Sequence, residues 1–229
     1  MAALAGFDFI VLDGEHGRIP PTGIYPLLVA AKAQNPELAV YYRLTEPSPK
    51  DAAQAMDQAV DGVIIPQVNN ACQVLPIIKA CRFSPLGERG VHPAVRAANY
   101  GLRPREDYLQ NANRESVIIA QVEGEAAMHD LPNILGCAGL DAIFVGPYDL
   151  SQSLGIPGQV DHPQVQSALA EIAKTAKQHR IPFGTFAGTA SAIASAKTLG
   201  YSFMGVSIDT LLISQAMHTL VKTLHQSNQ

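Results

Sequence analysis

Seven short apolar runs, separated for the most part by segments of helical pattern, constrain this chain more than any other feature of its sequence. They lie at about 7–13, 38–44, 62–68, 117–123, 141–147, 182–188 and 203–209. Continuous apolar runs rich in β-branched residues and ended by Gly or Pro read as strands buried on both faces, the kind found in parallel sheets. Helical pattern falls between them at 49–60, 69–81, 124–137, 163–180 and 189–199, and this alternation implies βαβ units in a parallel sheet. Pro49 after Ser48, and Pro163 after Asp161 and His162, sit where a helix cap and first turn belong. No repeat, low-complexity tract or linker interrupts the pattern, so 1–229 reads as a single domain.

A closed barrel of this kind needs eight strands, and seven are readable. The stretch from Met1 to Gly6 is too short to supply another strand and helix. The expectation is either a barrel completed in some other way or a chain shortened at its N-terminus, whose unpaired strand edges would have to be covered.

A length of 229 residues, with 47% hydrophobic and 16% charged, suits one large buried α/β core and excludes a disordered chain. A net charge of -4 with scattered basic residues leaves no electrostatic footprint for nucleic acid. No apolar stretch reaches the ~18 residues that would span a bilayer, and no signal peptide is readable, so a cytoplasmic protein without a membrane partner is expected. Cys72, Cys81 and Cys137 are odd in number and lack Cys-x-x-Cys spacing, and they are expected to be buried thiols rather than metal ligands or disulfides.

Three of the runs end in acidic residues. The run at 117–123 delivers Glu123, the run at 141–147 is followed by Asp149, and the first leads into Asp13-Gly14-Glu15-His16. Glu123 and Asp149 are separated by one loop, helix and strand, so both would face the same mouth from adjacent strands. Each alone could cap a helix or pair with an arginine. Together they suggest ligands for a hard divalent ion such as Mg²⁺ or Mn²⁺ rather than Zn²⁺. His16, on a glycine-flanked turn, is the candidate base, and Asp57 a candidate partner fixing its tautomer. Arg43 interrupts an apolar strand, which calls for an anion: either a salt bridge to Glu123 or Asp13, or the carboxylate of a substrate. Gln121 shares a strand face with Glu123, and the backbone of Gly146 and Tyr148 could donate to the same anion. Arg89 and Arg96 could meet a distal carboxylate or be structural.

These residues resemble a known family. Asp13-Gly-Glu-His16, the Arg43 strand, Phe83-Ser-Pro-Leu-Gly-Glu-Arg-Gly-Val91, Gln121-Val-Glu123 and Gly146-Pro-Tyr-Asp-Leu-Ser151 look like the HpcH/HpaI aldolases, over nearly the whole chain. The resemblance implies a TIM-type (β/α)8 barrel of the phosphoenolpyruvate/pyruvate-binding type, here without its first strand and helix. It implies a class II aldolase that cleaves 4-hydroxy-2-oxo acids to pyruvate and an aldehyde with a divalent metal, Mg²⁺, Mn²⁺ or Co²⁺. Glu123 and Asp149 would hold the metal, His16 assisted by Asp57 would be the base, and Arg43, Gln121 and the backbone near Gly146 and Tyr148 would bind pyruvate. It also implies a trimer or hexamer with a helix exchanged between subunits, for which the apolar stretch at about 210–225 is suited. The alternatives are a lyase for malyl- or citramalyl-type thioesters, for which no basic cluster meets coenzyme A phosphates, and a catalytically silent shortened barrel.

Overall fold

The computed structural model describes residues 1–17 and 19–226. Seven strands, β1 (Phe9–Asp13), β2 (Ala39–Arg43), β3 (Gly62–Ile65), β4 (Val117–Val122), β5 (Ala142–Val145), β6 (Phe183–Phe186) and β7 (Phe203–Gly205), form one sheet in chain order. Every neighbouring pair is parallel. The helices are α1 (Ile24–Gln34), α2 (Pro49–Asp57), α3 (Ala71–Cys81), α4 (Arg105–Glu115), α5 (Glu125–His129), α6 (Leu131–Leu135), α7 (Pro147–Ser153), α8 (Pro163–His179), α9 (Ala190–Leu199) and α10 (Asp209–Gln226).

Side-chain alternation sorts each strand between two environments. Ile118, Ala120 and Val122 of β4 join the main core under the helices, with Val40, Val63, Ile65, Ile143 and Val145 from the other strands and Leu28, Ile77, Ile134 and Ile172 from helices. Ile119 points the other way, into a second cluster with Ile64 and Ala142, against which Tyr41, Phe144 and Phe203 pack. The sheet is rolled far enough for Phe9 of β1 to meet Phe203 of β7 edge-on, with ring centroids 6.3 Å apart. Among the described residues β1 and β7 share no ladder, so the roll is a TIM-type half-barrel open along one seam. Gly184 makes room inside it, because a Cβ there would fall 2.2 Å from the Phe203 ring.

The helix starts are capped where the sequence placed them. Ser48 Oγ accepts from the Asp51 amide at 3.2 Å, and His162 Nδ1 from Gln164 at 3.2 Å. Other details differ. The stretch 49–60 is helical only to Asp57, because Ala59 takes a left-handed conformation at φ 67°. The stretch 124–137 is two short helices, α5 and α6, with Pro132 at the start of the second. The last strand ends at Gly205 because α10 begins at Asp209. Two helices escaped the periodicity: α1 carries apolar residues around its circumference but buries only Ile24 and Leu28, and α4 is mostly polar and buries only Tyr108. Cys81 and Cys137 are buried free thiols as expected, but Cys72 is exposed in the first turn of α3, a correction to the expectation of three buried cysteines. Among the described residues no helix is long and apolar enough to cross a membrane.

Candidate active site

Register decides what meets at the C-terminal mouth of the sheet. Asp13 and Arg43 are level partners in the last pair of β1 and β2. Arg43 Nε donates to Asp13 Oδ1 at 2.8 Å and Nη2 to Oδ2 at 2.7 Å, a bidentate pair. Burial opposes both charges, yet the hydrogen bonds and opposite charge outweigh it: the Asp13 carboxyl is held below its usual range and the Arg43 guanidinium above its own. Arg43 Nη1 remains, 3.0 Å from Glu15 Oε2 and 3.5 Å from Gln121 Oε1. Asp13 Oδ1 also accepts from the amides of Glu15 and His16, folding that turn over the strand end. The His16 side chain is largely exposed, with Nε2 3.8 Å from Glu15 Oε2.

Glu123 extends β4 by one residue on the side of Gln121, whose Nε2 donates to its Oε2. The Gln67 amide donates to Glu123 Oε1 at 2.9 Å, and Gln67 Nε2 to Glu15 Oε1 at 2.7 Å. Glu123 is 7% exposed. Burial pushes its carboxyl up to about 7; the hydrogen bonds from Gln121 and Gln67 oppose the shift, and the charges of Asp149 and Glu15 add to it. Asp149 is exposed in the first turn of α7, directly after β5. Gly146 lets Glu123 stand there, since a Cβ would come 2.8 Å from its Oε2.

Glu123, Gln121, Arg43, Gly146 and the electrostatic influence of Asp149 thus converge, with His16 at the rim. Two expectations change. The Gly146 amide donates to Val122 O at 3.2 Å, so it is spent on the sheet and not free for an anion. Tyr148 is exposed on α7, its ring 6.2 Å from that of Phe186. Asp57 ends α2, which runs back from the mouth toward the start of β3; its carboxylate accepts from Arg89 Nη2 at 2.6 Å and among the described residues makes no hydrogen bond to His16. Arg89 is a buried structural residue, stacked 4.7 Å over Phe83, while Arg96 donates to Gln58 O at 3.2 Å. Sequence reasoning missed Gln67, whose turn carries no motif, and left Glu15 without a role although it lies inside the Asp13–His16 motif.

A family model described as HpcH/HpaI aldolase/citrate lyase matches residues 1–216. A 4-hydroxy-2-oxo-heptane-1,7-dioate aldolase of Escherichia coli is 32% identical over 224 residues, covering 96% of this chain and 83% of the relative. A 2-keto-3-deoxy-L-rhamnonate aldolase of Salmonella gallinarum is 33% identical over 220 residues, covering 95% and 80%. The crystal structure of an HpcH/HpaI aldolase/citrate lyase family protein from Burkholderia cenocepacia superposes with a TM-score of 0.91 at 31% identity, over 98% of this chain and 88% of the other. A citrate synthase superposes with a TM-score of 0.86 at 27% identity, over 99% and 88%. The carboxylates at the strand ends and the match along the chain have one explanation: the protein belongs to the HpcH/HpaI aldolase/citrate lyase family and is a carbon–carbon lyase.

Proposed function

We propose that this protein is a class II aldolase that cleaves 4-hydroxy-2-oxo acids into pyruvate and an aldehyde, using a divalent cation, Mg²⁺, Mn²⁺ or Co²⁺, at Glu123 and Asp149. The observation that carries the reading is the electrostatic state of Glu123. Burial pushes its carboxyl up to about 7, with the charges of Asp149 and Glu15 adding to the shift, so an ionised Glu123 calls for a compensating positive charge beside it. Oxygen donors with surplus negative charge fit a hard divalent ion. Glu123 and Asp149 would supply two ligands and leave further positions to water and substrate; among the described residues no group of three or more His, Cys, Asp or Glu is arranged to hold a metal. When bound, the ion supplies positive charge where a 2-oxo acid becomes an enolate.

The chain's own residues do the rest. Arg43 and Gln121 bind the substrate carboxylate and keto end. Asp13 occupies the Nε–Nη2 edge of Arg43, so the substrate meets the Nη1 side, with backbone amides near Tyr148 completing the contact. His16, at the rim, takes the proton of the 4-hydroxyl as the bond between C3 and C4 breaks, and returns a proton to C3 of the enolate. Within the chain Asp57 is engaged by Arg89 rather than by His16, so His16 is assigned the proton transfer without it. We also propose that α10 is exchanged between subunits of a trimer or hexamer, supported by its complete lack of buried residues.

A coupled assay for pyruvate release tests the reading. Chelation by EDTA should abolish release from 4-hydroxy-2-oxo acids and added Mg²⁺, Mn²⁺ or Co²⁺ should restore it; full activity after stripping would remove the metal from the mechanism. His16→Ala should keep metal-dependent pyruvate binding while turnover falls by roughly 10²–10⁴. The structural likeness to a citrate synthase favours a second reading, condensation or cleavage at a different carbon–carbon bond. A thermal shift with an acyl-CoA and none with pyruvate would install that reading, and binding of oxalate without any turnover would indicate a silent barrel.

A further inference from the structure

Gln67 stands immediately after β3 in a left-handed conformation, φ 50°, which side chains other than Gly, Asn and Asp rarely adopt. Such strain persists where the surroundings enforce it, and it concentrates at functional sites. Here the conformation has a visible consequence: it aims both amides of one residue at two different carboxylates. The backbone amide donates to Glu123 Oε1 at 2.9 Å, and the carboxamide Nε2 to Glu15 Oε1 at 2.7 Å. The other oxygen of Glu15 is thereby left 3.0 Å from Arg43 Nη1 and 3.8 Å from His16 Nε2. That oxygen is buried and has no hydrogen bond of good geometry, so its orientation depends on what holds its twin.

We propose that Gln67 is a positioning residue that restrains Glu15 to a single-oxygen contact, 3.0 Å from Arg43 Nη1, which the carboxylate of the 2-oxo acid can displace. With Oε1 tied to Gln67, Glu15 offers Arg43 only one oxygen. Released, it can swing into a tighter pair with Nη1 and compete with the substrate for that edge. Gln67 acts through Glu15 and touches no reacting atom. The proposal rests on the aldolase reading above, specifically on Arg43 as the carboxylate site.

Gln67→Met removes the donor while keeping length and apolar stem. It should raise the KM for the 2-oxo acid, and the Kd for pyruvate measured by calorimetry with Mn²⁺ present, about tenfold, the usual worth of one hydrogen bond to a charged group. The kcat should change far less, and Mn²⁺ affinity should hold because the backbone amide to Glu123 is retained. The decisive arm is a double-mutant cycle. In a Glu15→Gln background no negative charge remains to compete, so Gln67→Met should then leave KM and Kd unchanged. A merely structural role for Gln67 would give additive losses. Equal pyruvate binding by wild type and Gln67→Met, or additive effects in the cycle, would overturn the proposal while leaving the aldolase reading intact. A wild-type protein that neither binds pyruvate nor cleaves any 4-hydroxy-2-oxo acid would overturn both.

Discussion

At the residue scale, Glu123 couples the proposed chemistry to stability. Its folded-state value of about 7 lies above the ordinary 4.5, so between those limits the folded protein holds a proton that the unfolded chain releases. Stability contributed by this group is therefore present below about 4.5 and lost as pH rises through 7. A shift of this size corresponds to a penalty on the order of 3 kcal/mol for the charged form. Glu123→Gln removes the penalty, and Gln121 can turn its amide to accept from the new carboxamide. In EDTA at pH 8 this variant should melt above wild type, with the gap closing as pH falls toward 4.5. Mn²⁺ should then raise the wild-type melting temperature and leave the variant nearly unmoved. A gap independent of pH would show that burial of the charge is not its origin.

At the scale of elements, the inner layer of the half-barrel depends on pairing a large residue with an absent one. Phe203 of β7 lies over Gly184 of β6, its register partner, and reaches across to Phe144 and Phe9. A methyl group at 184 would lie within 2.5 Å of three atoms of the Phe203 ring, closer than packed atoms approach, so the ring must leave its place. Gly184→Ala should cost about 1–3 kcal/mol, the range for overpacking a core. For a chain of this length that lowers the melting temperature by about 3–10 °C. Phe203→Leu in the same chain should recover part of the loss. A wild-type melting temperature for Gly184→Ala would mean that Phe203 does not fill the barrel interior in solution.

At the scale of the whole molecule, α10 is the outlier. Leu211, Leu212, Ile213, Met217, Leu220, Val221 and Leu224 are all exposed, and no residue of the helix is buried. Eighteen residues with that much uncovered apolar side chain exceed the scattered surface hydrophobics of a monomer, the pattern expected of the subunit interface proposed above. If a second copy covers it, sedimentation velocity should show wild type as a trimer or hexamer. Leu212→Lys with Leu220→Lys should release smaller species that still show the wild-type far-UV circular dichroism. A wild-type protein that sediments as a monomer at micromolar concentration would remove subunit exchange from the account.

What the sequence determined by itself follows from periodicity and from chain-local spacing. Seven runs of β-branched residues with helices between them can only form a parallel sheet with its loops gathered at one rim, so Glu123, Asp149, Asp13 and Arg43 were assigned to one mouth without coordinates. Pro49 and Pro163 marked helix starts because proline's fixed φ acts within one turn. Contacts between distant segments were a different matter. Arg43 had two possible anionic partners within the chain besides a substrate carboxylate, and only the β1–β2 register, which sets it level with Asp13, chose between those two. The reversal of α2 placed Asp57 beside Arg89 rather than His16. Gln67 lies 52 residues from Glu15 and 56 from Glu123, and its reach to both depends on a left-handed turn that no local propensity of glutamine favours. Tertiary structure decided these pairings because a hydrogen bond depends on ångström-scale distance and direction, whereas sequence patterns specify only which face and which end of an element a residue occupies.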